Sequence, residues 1–200
     1  RRSLHAGLSS ALSGVLFWGW DIGGFSETLP SAELYLRATA AAAFAPIMQY
    51  HSEYRAPGTP SKDRTPWHIQ ERSGDERVVP IYRKFAQLRM KLIPYLQREA
   101  AHCVANGEPL LRPLLLDNPD DPTAWQITDQ YRLGRDMLVA PVLEEGATAR
   151  RLYLPAGNWR DFWSGEQHAG PTWLEVAAPL DRIPVFVRAE AEIGIDLTGL

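Results

Sequence analysis

Through residue 107, segments with helical spacing alternate with short apolar runs. That alternation confines the chain to folds built on a parallel sheet with helices against it. Leu4, Leu8 and Leu12 recur at i, i+4 and i+8 with small residues between them, the spacing of a helix that Gly14 ends. Residues 15–18 form an apolar run with the length of a buried parallel strand, and the Gly23-Gly24 pair breaks the strand. Ser31 is placed to cap a second helix whose alanine-rich body covers residues 34–43. Residues 44–51 make another apolar run ending in polar residues. The order is helix, strand, helix, strand, as in a βαβ unit.

Residues 52–75 carry prolines, glycines and many charges and read as a long loop, the kind that in compact domains is functional or disordered. Residues 78–106 carry the strongest helical signal, with Ile81, Phe85, Leu88, Leu92, Leu96 and Cys103 on one face. Pro94 inside this helix predicts a kink about one turn upstream, and Asn106-Gly107 supply its C-cap. The pattern then changes. Short apolar runs at 110–116, 137–142, 151–154, 159–163, 173–176 and 183–187 are punctuated by turn signals such as residues 118–122 and 155–158. Evenly spaced short strands of this kind predict an antiparallel sandwich. The change of pattern puts a domain boundary near residue 108. No internal repeat or low-complexity tract is present.

Composition excludes several classes. A formal net charge of −3 offers no electrostatic reason to expect nucleic acid or an anionic membrane as partner. No run of eighteen apolar residues exists to span a bilayer, and no secretory signal is visible after Arg1 and Arg2, so a cytoplasmic location is expected. Cys103 is the single cysteine, which removes intrachain disulfides and cysteine-rich metal sites. The chain opens on Arg1 and enters a periodic segment at once, so it reads as the middle of something longer.

The sharpest chemical feature is the stretch Trp18-Gly19-Trp20-Asp21-Ile22-Gly23-Gly24-Phe25. A carboxylate at the C-terminal end of a parallel strand sits where barrels and doubly wound folds place their sites. Asp21 equally suits a plain structural role, bonding backbone amides of the glycine turn. His51 ends the next strand, and polar residues ending consecutive parallel strands face the same end of the sheet. That placement predicts a shared pocket walled by Trp18, Trp20 and Phe25. His51 and His68 lack the spacing of a zinc pair, so no metal is expected. Asp117, Asp120 and Asp121 lack the glycine of a calcium loop. No G-x-S-x-G elbow surrounds Ser9, Ser10 or Ser13, so an esterase triad has no support.

Residues 17–25 resemble the signature found after the seventh barrel strand in glycoside hydrolase family 31, the family of α-glucosidases and α-xylosidases. Similar stretches come later in the same order: Thr65-Pro66-Trp67, Leu92-Ile93-Pro94-Tyr95-Leu96, and the runs at 109–114, 133–142, 153–159 and 180–188. The resemblance covers nearly the whole chain. It implies a mixed α/β plus all-β architecture: residues 1–107 as the C-terminal part of a (β/α)8 catalytic barrel, with strands seven and eight and their helices, and residues 108–200 as a proximal β-sandwich that braces the barrel. It implies a retaining α-glycosidase acting through a nucleophile and an acid/base about 5–5.5 Å apart. By the family's pattern both lie before Arg1, so no catalytic residue is expected in this chain, and the 200 residues alone are expected to be inactive. What remains is substrate binding. The resemblance makes His51 the histidine that hydrogen-bonds the sugar in the −1 subsite. It makes Phe25 an aromatic packed near that sugar, Asp21 an orienting carboxylate and Trp18 a wall residue. Family members often carry an arginine two residues before that histidine. Here the position holds Gln49, so Asp21 needs another partner.

The implied ligand is an α-linked oligosaccharide or glycoside, with no cofactor. A different reading is a non-catalytic carbohydrate-binding or structural sandwich, with Trp159, Trp163 and Trp173 as a sugar platform. Two strands cut from a barrel also leave an unpaired sheet edge, to be covered by the missing N-terminal barrel portion or by self-association.

Overall fold

The computed structural model describes residues 1–25, 28–51 and 63–199. Helix α1 (Arg2–Leu12) buries Leu4, Gly7, Leu8 and Ala11. Leu12, expected on that face, is 52% exposed, because the drift of 3.6 residues per turn carries i+8 off the stripe and puts Ala11 on it. Strands β1 (Gly19–Asp21) and β2 (Ile47–Gln49) pair in parallel, Asp21 opposite Gln49, with helix α2 (Ala32–Ala43) as the crossover between them. The βαβ expectation holds, with shorter strands. Val15 and Phe17 are partly exposed and precede β1. The amides of Phe44 and Ala45 close the end of α2, on the carbonyls of Ala41 and Ala42, so β2 starts only at Ile47. The Ser31 side chain accepts from the Leu34 amide at 3.2 Å and caps α2 as expected.

Residues 52–62 of the expected long loop lie outside the described residues. The rest of it is not all loop: helix α3 spans Pro66–Ser73. Thr65 caps it, accepting from the His68 amide, Pro66 occupies its first position, and Gly74 closes it at φ 69°. Helix α4 (Val78–Asn106) runs through Pro94 as one element and ends at Gly107, φ 68°.

The strands after α4 differ from their expected bounds. The run at 110–116 divides into β3 (Leu111–Arg112) and a short helix α5 (Leu114–Asp117), with Pro113 between them. Next come β4 (Tyr131–Leu133) and β5 (Met137–Val139). The runs at 151–154 and 159–163 fall largely on one strand, β6 (Ala149–Asp161). Residues 155–158, expected as a turn, hold a register shift between Leu154 and Gly157, since β7 (Gln167–Ala177) offers β6 a continuous partner. With β8 (Val185–Arg188) these six strands make one antiparallel sheet, order β3-β4-β5-β8-β6-β7. Where a two-sheet sandwich is expected, the strands instead form this single sheet, in which Leu138 and Phe186 share a buried cluster with Leu152, Leu154 and Trp159. The opposite side of β5 and β8 (Met137, Val139, Val185, Val187) joins the helices in a core with Leu8, Phe44, Phe85 and Leu92.

Three polar locks hold the helices to the sheet. Arg89 of α4 donates to the carbonyls of Ala43, Ala45 and Pro46, and the Tyr131 hydroxyl donates to Phe44 at 3.0 Å. Together they cap the end of α2 and set the entry into β2. On α2, Arg37 donates to the carbonyls of Ala147 and Ala178, while Glu33 accepts from the Gly146 amide. Glu99 of α4, without solvent exposure, is gripped by the Arg135 side chain and amide, each contact at 3.0 Å.

Candidate active site

The parallel pair β1–β2 decides where the candidate residues meet. Asp21 ends β1, and Gln49 ends β2 directly across from it. The Gln49 amide donates to the Asp21 carboxylate at 2.8 Å, so Gln49 itself supplies the partner that Asp21 is expected to need. The Ile22 amide then bonds the Gln49 carbonyl at 2.9 Å and the Gly24 amide bonds the Asp21 carbonyl at 2.8 Å, turning the chain sharply after the strand. Gly23 (φ 75°) and Gly24 (φ 77°) both take the left-handed conformation that makes this turn possible. The turn delivers Phe25 to the ring of His51, edge to face, with centroids 6.3 Å apart. Phe25 is 66% exposed, so much of its apolar surface remains open at the strand ends.

Phe25 and His51 are therefore in ring contact, and Asp21, bonded to Gln49 two residues before His51, lies at the ends of the same two strands. Trp18 goes elsewhere. Its indole lies on Gly7 of α1 so closely that a Cβ there would fall 2.5 Å from Cδ1. Trp20 packs against the buried clusters and, with Asp21, Gly23 and Gly24, lines a cavity of about 450 Å³. The rest of its wall comes from α2 as far as Ala41, the start of α1 and residues 141–145.

Arg64, which the sequence did not single out, belongs to this neighbourhood. It is fully buried and donates to the carbonyls of Gly23, at 3.4 Å, and Thr28, at 3.2 Å. The Tyr35 hydroxyl donates to the Arg64 carbonyl at 2.6 Å, and burial pushes that hydroxyl's pKa up, keeping it a donor. The available signal was the Thr65-Pro66 helix start, which ties the preceding residue to a fixed element.

The three tryptophans of the platform reading do not share a face. Trp159 is fully buried between the guanidiniums of Arg132 and Arg188, 5.1 and 4.2 Å from its ring. Trp163 bonds the Ile183 carbonyl and lies under Lys84 of α4. Trp173 is 45% exposed on the outer side of β7, beside Tyr153 and Arg151. Among the described residues no group of three or more His, Cys, Asp or Glu could hold a metal ion. No described helix is long and apolar enough to cross a membrane.

Two family models match the chain: the TIM-barrel domain of glycosyl hydrolases family 31 over residues 1–99, and the C-terminal domain of the same family over residues 107–193. A 1,3-alpha-isomaltosidase of Kribbella flavida is 52% identical over 94% of this chain and 26% of its own length. An isomaltosyltransferase of Sporosarcina globispora is 42% identical over 100% of this chain and 18% of its own length. Among solved structures, the cycloalternan-degrading enzyme of Trueperella pyogenes superposes with a TM-score of 0.90 at 44% identity, over 95% of this chain and 26% of that one. The chain thus spans about a quarter or less of the length of these relatives.

Proposed function

Since the chain belongs to glycoside hydrolase family 31, we propose that it is the portion of a retaining α-glycosidase that carries the end of the catalytic barrel, one wall of the sugar site, and the bracing sheet. In this reading β1 and β2 are strands seven and eight of the barrel. Their outer edges pair with the remaining strands, which also carry the nucleophile and the acid/base. The single observation that carries the reading is the ring contact of Phe25 with His51 where two parallel strands, tied by Asp21 and Gln49, end, the face on which barrel enzymes place their chemistry.

Each residue has a task. His51 hydrogen-bonds sugar hydroxyls. A ring hydroxyl held in one place lets the bond strengthen as the sugar flattens toward the oxocarbenium-like transition state. Phe25 packs on the sugar and excludes water beside it. Asp21, tied to Gln49, holds the two strand ends in register. Trp18, seated on α1, supports the strand entry.

The substrate is an α-linked glucoside or xyloside. The isomaltosidase and cycloalternan-degrading relatives favour an α-glucan containing isomaltosyl units. The test is proton NMR of the full-length polypeptide acting on such a glucan and on p-nitrophenyl α-xyloside. The α-anomer is expected to form first on at least one. An inverted first product, or no turnover of any α-glycoside, overturns the reading. So does hydrolysis by the isolated 200 residues.

A further inference from the structure

We infer that Arg64 is a positioning residue for Phe25, holding the turn that carries this ring against His51; the inference rests on the reading of Phe25 and His51 as sugar contacts. Arg64 has no solvent exposure, and a buried guanidinium is tolerated only when its donors are used. Its Nε and Nη2 donate to the carbonyls of Gly23 and Thr28, one on each side of Phe25 in sequence. One side chain therefore bonds the backbone both before and after Phe25. The planar guanidinium, with donors fixed in a fork, suits two carbonyls at once in a way an ammonium does not.

The anchor is itself anchored. Tyr35 of α2, fully buried and stacked on Tyr82 at 5.9 Å, donates to the Arg64 carbonyl at 2.6 Å. The next residue, Thr65, caps α3 and donates its amide to the Asp63 carboxylate at 2.9 Å. Gly23 is packed down on the same support: a Cβ there would fall 2.7 Å from Pro30 and 3.2 Å from Tyr35. Helices α2 and α3 thus reach the Phe25 turn through Arg64. A shift of about 1 Å in a group that positions substrate can lower a rate on the order of 10²-fold, so the lock is large enough to matter.

The test uses the full-length polypeptide with Arg64→Met, Arg64→Lys, Phe25→Ala and the Arg64→Met/Phe25→Ala double variant. Hydrogen exchange by mass spectrometry is expected to speed about tenfold in a peptide covering residues 20–30 for Arg64→Met, with peptides from α4 unchanged. The ratio kcat/KM is expected to fall about 10²-fold in Arg64→Met, to recover in part in Arg64→Lys, and to change less than about threefold when Phe25 is already alanine. Unchanged exchange in residues 20–30 overturns the proposal, and so does a full Arg64→Met loss that persists without Phe25. A wild-type protein that turns over no α-glycoside sinks the functional reading instead, and the exchange result still decides whether Arg64 holds the turn.

Discussion

The two halves of this chain satisfy their backbones in different ways. In the sheet built after Gly107, β4, β5, β8 and β6 are paired on both sides, β3 and β7 form its edges, and polar side chains add to the ladder bonds. Gln130, buried, both donates to the Tyr153 carbonyl and accepts from its amide, each at 2.8 Å, acting as a surrogate strand residue. The first half has only the β1–β2 pair, each strand with one neighbour among the described residues. Beyond the backbone bonds and buried faces of α1–α4, side chains gripping carbonyls fix its connections: Arg89 at the end of α2, Arg64 at the Phe25 turn. A region whose shape depends on a few such grips can hold an exposed aromatic ring and an imidazole at an open end. A region closed by its own ladders can serve as a brace. The core runs through both halves, but the ladders of the sheet and the open strand ends do different work, and substitutions can separate the two.

The largest effect is expected at the brace. Trp159→Ala removes a fully buried ring and leaves Arg132, itself nearly buried, without the surface it lies on. Urea denaturation is expected to show a loss of about 3–5 kcal/mol, with the activity of the remaining folded molecules intact. The counterpart is His51→Ala in the full-length polypeptide. Removing a hydrogen-bond donor that acts on the transition state lowers kcat/KM about 10²-fold, while a partly exposed side chain alters unfolding by less than about 0.5 kcal/mol. If the Trp159 variant folds but is inactive, or the His51 variant unfolds like it, the division between the halves is broken.

A smaller effect is expected where the halves meet. Burial alone would raise the Glu99 carboxyl, but hydrogen bonds from Arg135 and Arg98 outweigh it and hold its pKa at about 2, against an ordinary 4.5. The folded chain thus keeps this group ionised where the unfolded chain would protonate it. Its contribution is present above pH 4.5 and is lost as pH falls toward 2. Glu99→Gln is expected to lower unfolding free energy at neutral pH by about 1.5–3 kcal/mol. The gap between wild type and variant should close as pH is lowered through that range. A gap that stays constant with pH would show that Glu99 acts by packing alone.

The same contrast explains what the sequence made legible. Asp21 and His51 stand out because each comes after an apolar run and a parallel strand must end in the open. Helix α4 stands out because one face repeats over many turns. Arg64 does not, because a charged residue between prolines reads as solvated, and only the folded chain shows that carbonyls replace water around it. Pro155 and Gly157 mislead for a related reason. They have turn chemistry, but β7 supplies a partner on both sides of them, and long-range pairing overrides local preference. Local signals carried the ends of elements well where capping was local, as at Ser31 and Gly107. They failed where a distant segment decided.

Gln49 brings the two kinds of signal to one residue, and it carries the smallest expected effect. Its amide faces Asp21 across the strand pair at 2.8 Å in a solvent-exposed contact. A hydrogen bond from a neutral amide to a carboxylate contributes about 1.5–3 kcal/mol where it is sheltered, and much less in an exposed contact where water competes for both groups. Gln49→Ala is therefore expected to lower kcat/KM by no more than about fivefold, with thermal stability nearly unchanged. Gln49→Arg turns the contact into an exposed ion pair worth about 0.2–1 kcal/mol and should match or slightly exceed the wild type, with the gain fading as salt is raised. A large loss from Gln49→Arg would mean that the amide serves the sugar as well as Asp21. The strand end would then be part of the sugar wall itself, and Asp21 would have to be reassigned from holding the register to shaping the site.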